Sequence, residues 1–466
     1  MKGLKIYALA AFLVAIKGSI IGEITKKPQV VELPIEKTRR ISGLVSKDRL
    51  HKRGQVLAYL DNHDTLYFFN ITIGTPPQKL RLHLDTGSSD LWVNTPKSRL
   101  CSQGSGPCKE TGEYNANISS TYKFVASNFN ISYVDGSGAE GDYVNDDIMI
   151  GTAKIKNFQF GVGYSSSSSQ GILGIGYSIN EVQVGRARKK PYPNLSMRMV
   201  KDGLIKSNAY SIWLNDLDAS TGSILFGGID TAQYVGPLQT VPIQKVGGVH
   251  SEFLITMTGL SIGNKVISND MAQAVLLDSG SSLTYLPDDI VESIYELMGA
   301  KYDPSDQAAY VPCSYAQSSV TLNFAFSGPV IKVDMSELVI PISSSKNQLD
   351  DETSACLFGI APAGTGSSVL GDTFIRSAYL VFDLDNNQIS MAQTNFNATG
   401  HKIVEIGIGE KAVPDAIIVP NPIPAKYGID PSSAESAGAT PIMLLLPRES
   451  FVWIFFSVTF AYSIFL

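Results

Sequence analysis

The chain has 466 residues, a formal net charge of −6 and 44% apolar side chains. That length allows two or three domains at roughly 150 residues each, and the composition excludes a disordered or fibrous protein. Residues 1–53 hold 12 Lys/Arg and 4 Asp/Glu, a net of +8, so 54–466 carry −14; an acidic body argues against a nucleic-acid partner and suits cationic ligands.

The N-terminus reads "MKGLKIYALAAFLVAIKGS". Lys2 and Lys5 precede an 11-residue apolar run, Ile6 to Ile16, followed by small residues. This is the pattern of a secretory signal over 1–19, too short to span a bilayer. Residues 20–53 are basic, with "KTRR" and then "KDRLHKR". Lys52-Arg53 is read as the cut point of a dibasic processing protease, which makes 20–53 a removable pro-segment.

From about Gly54 to Gly400 the chain alternates short apolar runs with Gly, Pro, Asn and Asp, as in "TLYFFNITIGTPPQ" and "AYLVFDLDNNQISMAQ". This is the all-β pattern. Two stretches, "NLSMRMVKDGLI" and "DDIVESIYELMG", read as helices, and Ser165–Ser169 and "RARKK" (186–190) as loops. The segment "HLDTGSSDLWV" (83–93) returns as "LLDSGSSLTYL" (276–286), and "GILGIGY" (171–177) as "SVLGDTF" (368–374). One half-domain is written twice, which predicts lobes over 54–235 and 236–400 with the boundary near Val235. The period is far longer than the roughly 20–50 residues of a solenoid.

Four cysteines allow three disulfide connectivities. Cys101–Cys108 with Cys313–Cys356 closes each bridge within one half and is the pairing expected. No two cysteines have CxxC spacing and the five His show no HExxH, so no metal or cofactor is expected. Secretion makes disulfides reasonable and makes the sequons at Asn70, Asn117, Asn130, Asn194 and Asn397 glycosylation candidates.

Residues 401–440 are rich in Pro, Ala and Gly and read as a linker or stalk. The tail, 441–466, ends in "FVWIFFSVTFAYSIFL", 16 residues without a charge. As a helix that run would measure about 24 Å, short of the roughly 30 Å hydrocarbon core. Small residues, a spacer and an apolar end fit a GPI-attachment signal with Ser436, Ala437 and Gly438 as acceptor candidates. A retained transmembrane helix is the alternative.

The two Asp turns carry the chemistry. A buried carboxylate needs donors, and a turn of Thr/Ser, Gly and Ser supplies backbone N–H groups and hydroxyls. If the two halves pack about a pseudo-twofold axis, Asp85 and Asp278 meet. Two charges about 3 Å apart at an effective dielectric near 20 repel by roughly 5 kcal/mol, or about four pK units, so the pair holds one proton over a wide acidic range. Such a pair can deprotonate a water and protonate a departing amide with no metal or covalent intermediate.

"LHLDTGSSDLWV", "VLLDSGSSLTYLP", "GILGIGY" and "SVLGDTFIRSAYLVFDLDNNQISMAQ" together resemble the pepsin-like aspartic proteases over about residues 64–396. The shared proton is that family's established behaviour. The resemblance implies an all-β, bilobal fold with the cleft between the lobes and Asp85 and Asp278 as the catalytic pair. Thr86, Gly87, Ser88, Ser279, Gly280 and Ser281 would support the two turns. "ISYVDGSG" (131–138) would be the flap over the substrate, with Tyr133, Val134, Asp135 and Gly136 at its tip and Trp92 hydrogen-bonded to Tyr133. The family usually has Gly where Val134 stands, which bears on tip geometry. Gly174 and Gly371 would pack beside the two active-site loops.

Signal, dibasic pro-segment, "YPNLSMRMVKDGLI" and anchor signal resemble the fungal GPI-anchored yapsin-type subgroup. That implies a monomeric surface endopeptidase acting on peptides, anchored through a GPI lipid to the plasma membrane or cell wall, with a preference for basic residues near the cleaved bond. The pro-segment would lie across the acidic cleft and loosen as acid protonates the carboxylates facing it. The alternative is a non-catalytic cell-wall or adhesion protein on the same fold. A serine hydrolase is disfavoured because no G-x-S-x-G elbow occurs, and a cysteine protease because all four Cys are expected to pair.

Overall fold

The computed structural model describes residues 29–38, 66–134, 136–219, 221–342 and 354–429. The signal (1–19), Lys52, Arg53, Asp135, Ser436, Ala437, Gly438 and the apolar tail lie outside these residues. Strands dominate. Among the described residues one 14-stranded sheet runs through both halves, with four smaller sheets beside it, one of which has five strands and carries the second Asp turn.

The large sheet joins the lobes. Strand Ala209–Trp213 pairs with Thr221–Phe226 on one side and with Ala378–Asp383 on the other. Ala378–Asp383 then pairs with Gln388–Thr394, which pairs with Tyr234–Pro242. The boundary expected at Val235 falls in the last of these pairings, at a register shift between Val235 and Gln239. The core beneath is continuous across the junction: Tyr210 stacks on Phe382 at 5.0 Å, and Phe253 meets Phe382 edge-on at 4.7 Å.

Two stretches read from composition as peripheral are part of this body. Val31–Thr38, inside the expected pro-segment, is a strand between Thr221–Phe226 and Leu66–Ile73. Its sequence VELPIEKT alternates, burying Val31, Leu33 and Ile35 and exposing Glu32, Pro34 and Glu36. The described part of the pro-segment therefore enters the sheet rather than crossing a cleft. Its more basic portion, 39–53, lies outside the described residues.

The linker expected from residue 401 is corrected in the same way. Ile403–Glu405 pairs with Gly228–Asp230, Ile417–Ile418 runs parallel to Tyr234–Pro242, and Tyr427 bridges to Gln273. Ile406, Ala412, Val413 and Val419 are buried, and this apolar area holds a Pro-rich segment against the sheet.

Both helical expectations stand, as Leu195–Lys201 and Asp288–Met298. The second places Asp288 and Asp289 in its first turn, favourable at the positive end of the helix dipole, and ends at Gly299 with φ 62°. The first starts at Asn194, whose side chain accepts from the Met197 N–H and donates to the Gly176 carbonyl at 2.7 Å. Asn194 is 2% exposed, and a glycan has no access to an amide so used; this removes it from the sequon candidates. Asn70, Asn117 and Asn397 are exposed and Asn130 is half-buried. The serine run is partly strand, since Ala153–Ser166 includes its first two residues.

The disulfides are Cys101–Cys108 and Cys313–Cys356, with Cα atoms 5.3 and 5.0 Å apart. Each closes within one half, as expected.

Candidate active site

The two Asp turns sit at equivalent places. Strand Gln78–Asp85 lies parallel to Gly171–Gly174, with Asp85 beside Gly174; strand Gln273–Leu277 lies parallel to Val369–Leu370, with Leu277 beside Leu370. After each turn the chain returns antiparallel to the same short strand, as Leu91–Asn94 and Thr284–Leu286. A Cβ on Gly174 would fall 2.7 Å from the Ser89 and Asp90 nitrogens, and one on Gly371 2.3 Å from the Ser281 carbonyl. Both positions therefore require glycine.

The turns solvate their own carboxylates. Asp85 Oδ1 accepts from the Gly87 N–H at 2.8 Å and Oδ2 from the Ser88 hydroxyl. Asp278 repeats this with the Gly280 N–H and the Ser281 hydroxyl, both at 2.8 Å. The loops are then cross-bonded. The Thr86 N–H donates to Ser279 Oγ at 3.2 Å and the Ser279 N–H to Thr86 Oγ1 at 2.9 Å. Each hydroxyl also reaches the opposite strand, Thr86 to the Leu277 carbonyl and Ser279 to that of Leu84.

This lattice brings the two acids together. A Cβ on Gly87 would lie 2.6 Å from Asp278 Oδ1, and one on Gly280 2.7 Å from Asp85 Oδ1. Each glycine thus lets its backbone rest against the other lobe's carboxylate. Burial, and then the charge of Asp278, hold the Asp85 carboxyl well above the ordinary carboxylate range. The arrangement can retain one proton between two acids and present both to a water or an amide.

Tyr133 lies near Asp85, at the end of the hairpin formed by Lys123–Ser132 and Gly138–Ile150. Its hydroxyl accepts from Trp92 Nε1–H at 2.8 Å. Burial and then the Asp85 charge push its own ionisation far up, so it stays a neutral hydroxyl. The tip closes by Gly136 N–H to the Tyr133 carbonyl and Tyr133 N–H to that of Ser137. Among the described residues of this turn, Gly136 is left-handed, at φ 77°. Val134 therefore needs no special conformation, and its side chain is 47% exposed. Replacing Trp92 by Phe removes the indole N–H and leaves the Tyr133 hydroxyl untethered. The expected result is a drop of about tenfold in kcat/KM, the equivalent of one hydrogen bond of roughly 1.5 kcal/mol, together with a lower melting temperature, because Trp92 is fully buried and Phe leaves a cavity in its place.

Two acids here escaped the sequence reading. Asp90, inside "DTGSSDLWV", is fully buried; its Oδ1 accepts from the Tyr143 and Tyr192 hydroxyls at 2.6 and 2.9 Å and its Oδ2 from the Val182 N–H at 2.8 Å. Tyr143 meets Phe129 edge-on at 5.3 Å and Phe129 packs near Trp92, so Asp90 underpins the flap anchor. The signal was an acid flanked by a hydroxyl turn and an apolar strand. Glu252, in "HSEFLITM", precedes the wholly buried strand Leu254–Met257 and is 8% exposed. Burial and then the Asp278 charge raise its carboxyl to about 7.

These raised values set a pH dependence of stability. The folded protein keeps protons on Glu252, Asp85 and Asp90 to a higher pH than the unfolded chain does. Their contribution to stability is therefore fully present below the ordinary carboxylate pKa and is lost as pH rises through about 7. Glu252 alone accounts for about 3 kcal/mol of that loss. Melting temperatures measured from pH 4 to 8 should decline, and Glu252→Gln should flatten the decline; a protein more stable at pH 8 than at pH 4 contradicts this.

Comparison with known proteins agrees with this geometry. The family described as "Eukaryotic aspartyl protease" matches residues 66–394. The "Probable aspartic-type endopeptidase opsB" of Aspergillus oryzae is 53% identical over 421 residues, covering 89% of this chain and 86% of the relative. The "Acid protease" of Saccharomycopsis fibuligera is 36% identical over 343 residues, 72% of this chain and 83% of the relative. The "Secreted aspartic protease 6" of Candida albicans is 36% identical over 374 residues, 79% and 84% of the two chains. The chain belongs to the pepsin-like eukaryotic aspartyl protease family and is an aspartic endopeptidase.

Proposed function

We propose that Asp85 and Asp278 are the catalytic pair and hold a single proton and a water between them. The ionised member takes a proton from the water as it attacks the amide carbonyl, and the protonated member serves the departing nitrogen. Ser88 and Ser281 orient the carboxylates, and Tyr133 closes over the bound peptide. The supporting observation is reciprocal: Gly87 packs on Asp278 and Gly280 on Asp85, with Thr86 and Ser279 cross-bonded between them. Peptide cleavage should follow a bell-shaped profile between pH 3 and 7 and be blocked by a statine-type transition-state analogue. Cleavage that ignores the analogue and stops with a chelator would defeat the proposal.

The same reading makes this a secreted enzyme, matured after Arg53 by a dibasic protease and held at the cell surface as a monomer by a GPI lipid. The signal and tail compositions support it, as does the name of the secreted Candida relative. Among the described residues no helix is long and apolar enough to cross a membrane. Treating intact cells with a phosphatidylinositol-specific phospholipase should release the protein. The −14 body supports a preference for basic residues near the cleaved bond.

A further inference from the structure

Beside Asp278 stands a carboxylate that the mechanism above does not use. Strand Leu254–Met257 runs antiparallel to Gln273–Leu277, with Leu254 facing Leu276. The ladder goes one step further, since the Phe253 carbonyl accepts from the Leu277 N–H at 3.2 Å. Continuing that register sets Glu252 opposite Asp278, and residues directly opposite in an antiparallel pair project from the same face. Asp278 itself stands against Gly87 and Gly280, beside Asp85. The influence of Asp278 on Glu252 ionisation is consistent with this placement.

Glu252 differs from the other acid buried near the site. Asp90 has three donors aimed at it. Glu252 has no hydrogen-bond donor and no cation against it among the described residues. Ionised, a carboxyl so placed is costly without a partner, so the free protein holds its proton up to about pH 7, and a substrate cation would favour the ionised form. It is also held in position: the Phe253 ring that follows it is packed by Tyr177 at 5.3 Å and Phe382 at 4.7 Å. A substrate side chain carrying a positive charge would supply the missing partner at the place where the peptide must lie.

We propose that Glu252 is a specificity-determining residue of the cleft, whose carboxylate receives the ammonium or guanidinium of one Lys or Arg of the substrate beside the scissile bond. This rests on the reading of the Asp85–Asp278 cleft as the peptide site and assigns its basic preference to one residue instead of to the overall charge.

The test uses a set of peptides in which Lys replaces Ala at each position in turn around one cleavable bond. Cleavage is measured with the wild type, and binding of the same peptides with Asp85→Asn protein, each with and without Glu252→Gln. Lys should be favoured over Ala at one position, and Glu252→Gln should reduce that ratio at least about tenfold there and leave the other positions alone. Glu252→Asp, which keeps the charge, should retain part of the preference, and Glu292→Gln on an exposed helix face should retain all of it. A Lys preference unchanged by Glu252→Gln, or none at any position, overturns the proposal. Selective binding without cleavage would uphold it and fault the catalytic reading instead.

Discussion

Asp278→Asn should lower kcat on a peptide substrate by at least about 10⁴-fold while leaving the melting temperature within a few degrees of the wild type. The size follows from the role: the shared proton needs two acids, and an amide can neither take the proton from water nor return one to the leaving nitrogen. The fold should tolerate the change because the Asn side-chain carbonyl still accepts from the Gly280 N–H, and the Ser281 hydroxyl, which faces the other carboxylate oxygen, can turn to accept from the Asn NH2. Asp85→Asn should behave alike, and the double variant should be no worse than either single one, since each alone removes the pair. The measurement is steady-state cleavage across pH 3–7 beside thermal denaturation. Activity within about tenfold of wild type in either single variant would remove the two-acid mechanism.

Arg376→Met should cost about 3–5 kcal/mol of stability, or roughly 10 °C in melting temperature. Arg376 is fully buried, and its Nε–H and one terminal N–H donate to the Glu337 side chain and backbone carbonyl. The other Glu337 oxygen accepts from the Leu217 N–H at 3.1 Å. Burial works against the arginine charge, and Glu337, then Tyr67 and Asp372, together more than offset it. Removing Arg376 leaves that carboxylate buried without its cation. The pair lies behind the active site: Arg376 follows the short helix Asp372–Ile375, whose first N–H donates to the Ser281 carbonyl in the second Asp turn. Activity should therefore fall with stability. Replacing Glu337 by Met as well should recover part of the loss, because the uncompensated charge goes, although the Leu217 N–H then lacks its acceptor. A single variant as stable as wild type would show that the pair contributes nothing.

The all-β pattern, both helices and the two Asp turns were legible in the sequence because each is written locally; the repeat was legible because its two copies are nearly identical, and the disulfide pairing because each bridge closes within one half. A turn needs its Gly within two residues of its Asp, and a strand shows its alternation over eight residues or fewer. Val31–Thr38 shows the limit of reading by composition. Its alternation was plain, but the surrounding Lys and Arg marked it as pro-segment, and the buried Val31, Leu33 and Ile35 place it in the sheet. Residues 401–429 misled for the opposite reason: their Pro and Gly content suggested a free linker, while a few apolar side chains pin them to strands more than 140 residues earlier in the chain.

By itself the sequence determined that two equivalent carboxylate turns exist and that each can solvate its own Asp. Only the tertiary structure decided what stands across from them. The contact of Gly87 with Asp278 and the placement of Glu252 opposite Asp278 each join residues 26 or more positions apart, and the bond from Trp92 to Tyr133 was expected only through the family resemblance. No local pattern encodes such a contact. It follows from two lobes sharing one sheet, and the energy that enforces it is spread over a core that no short segment contains.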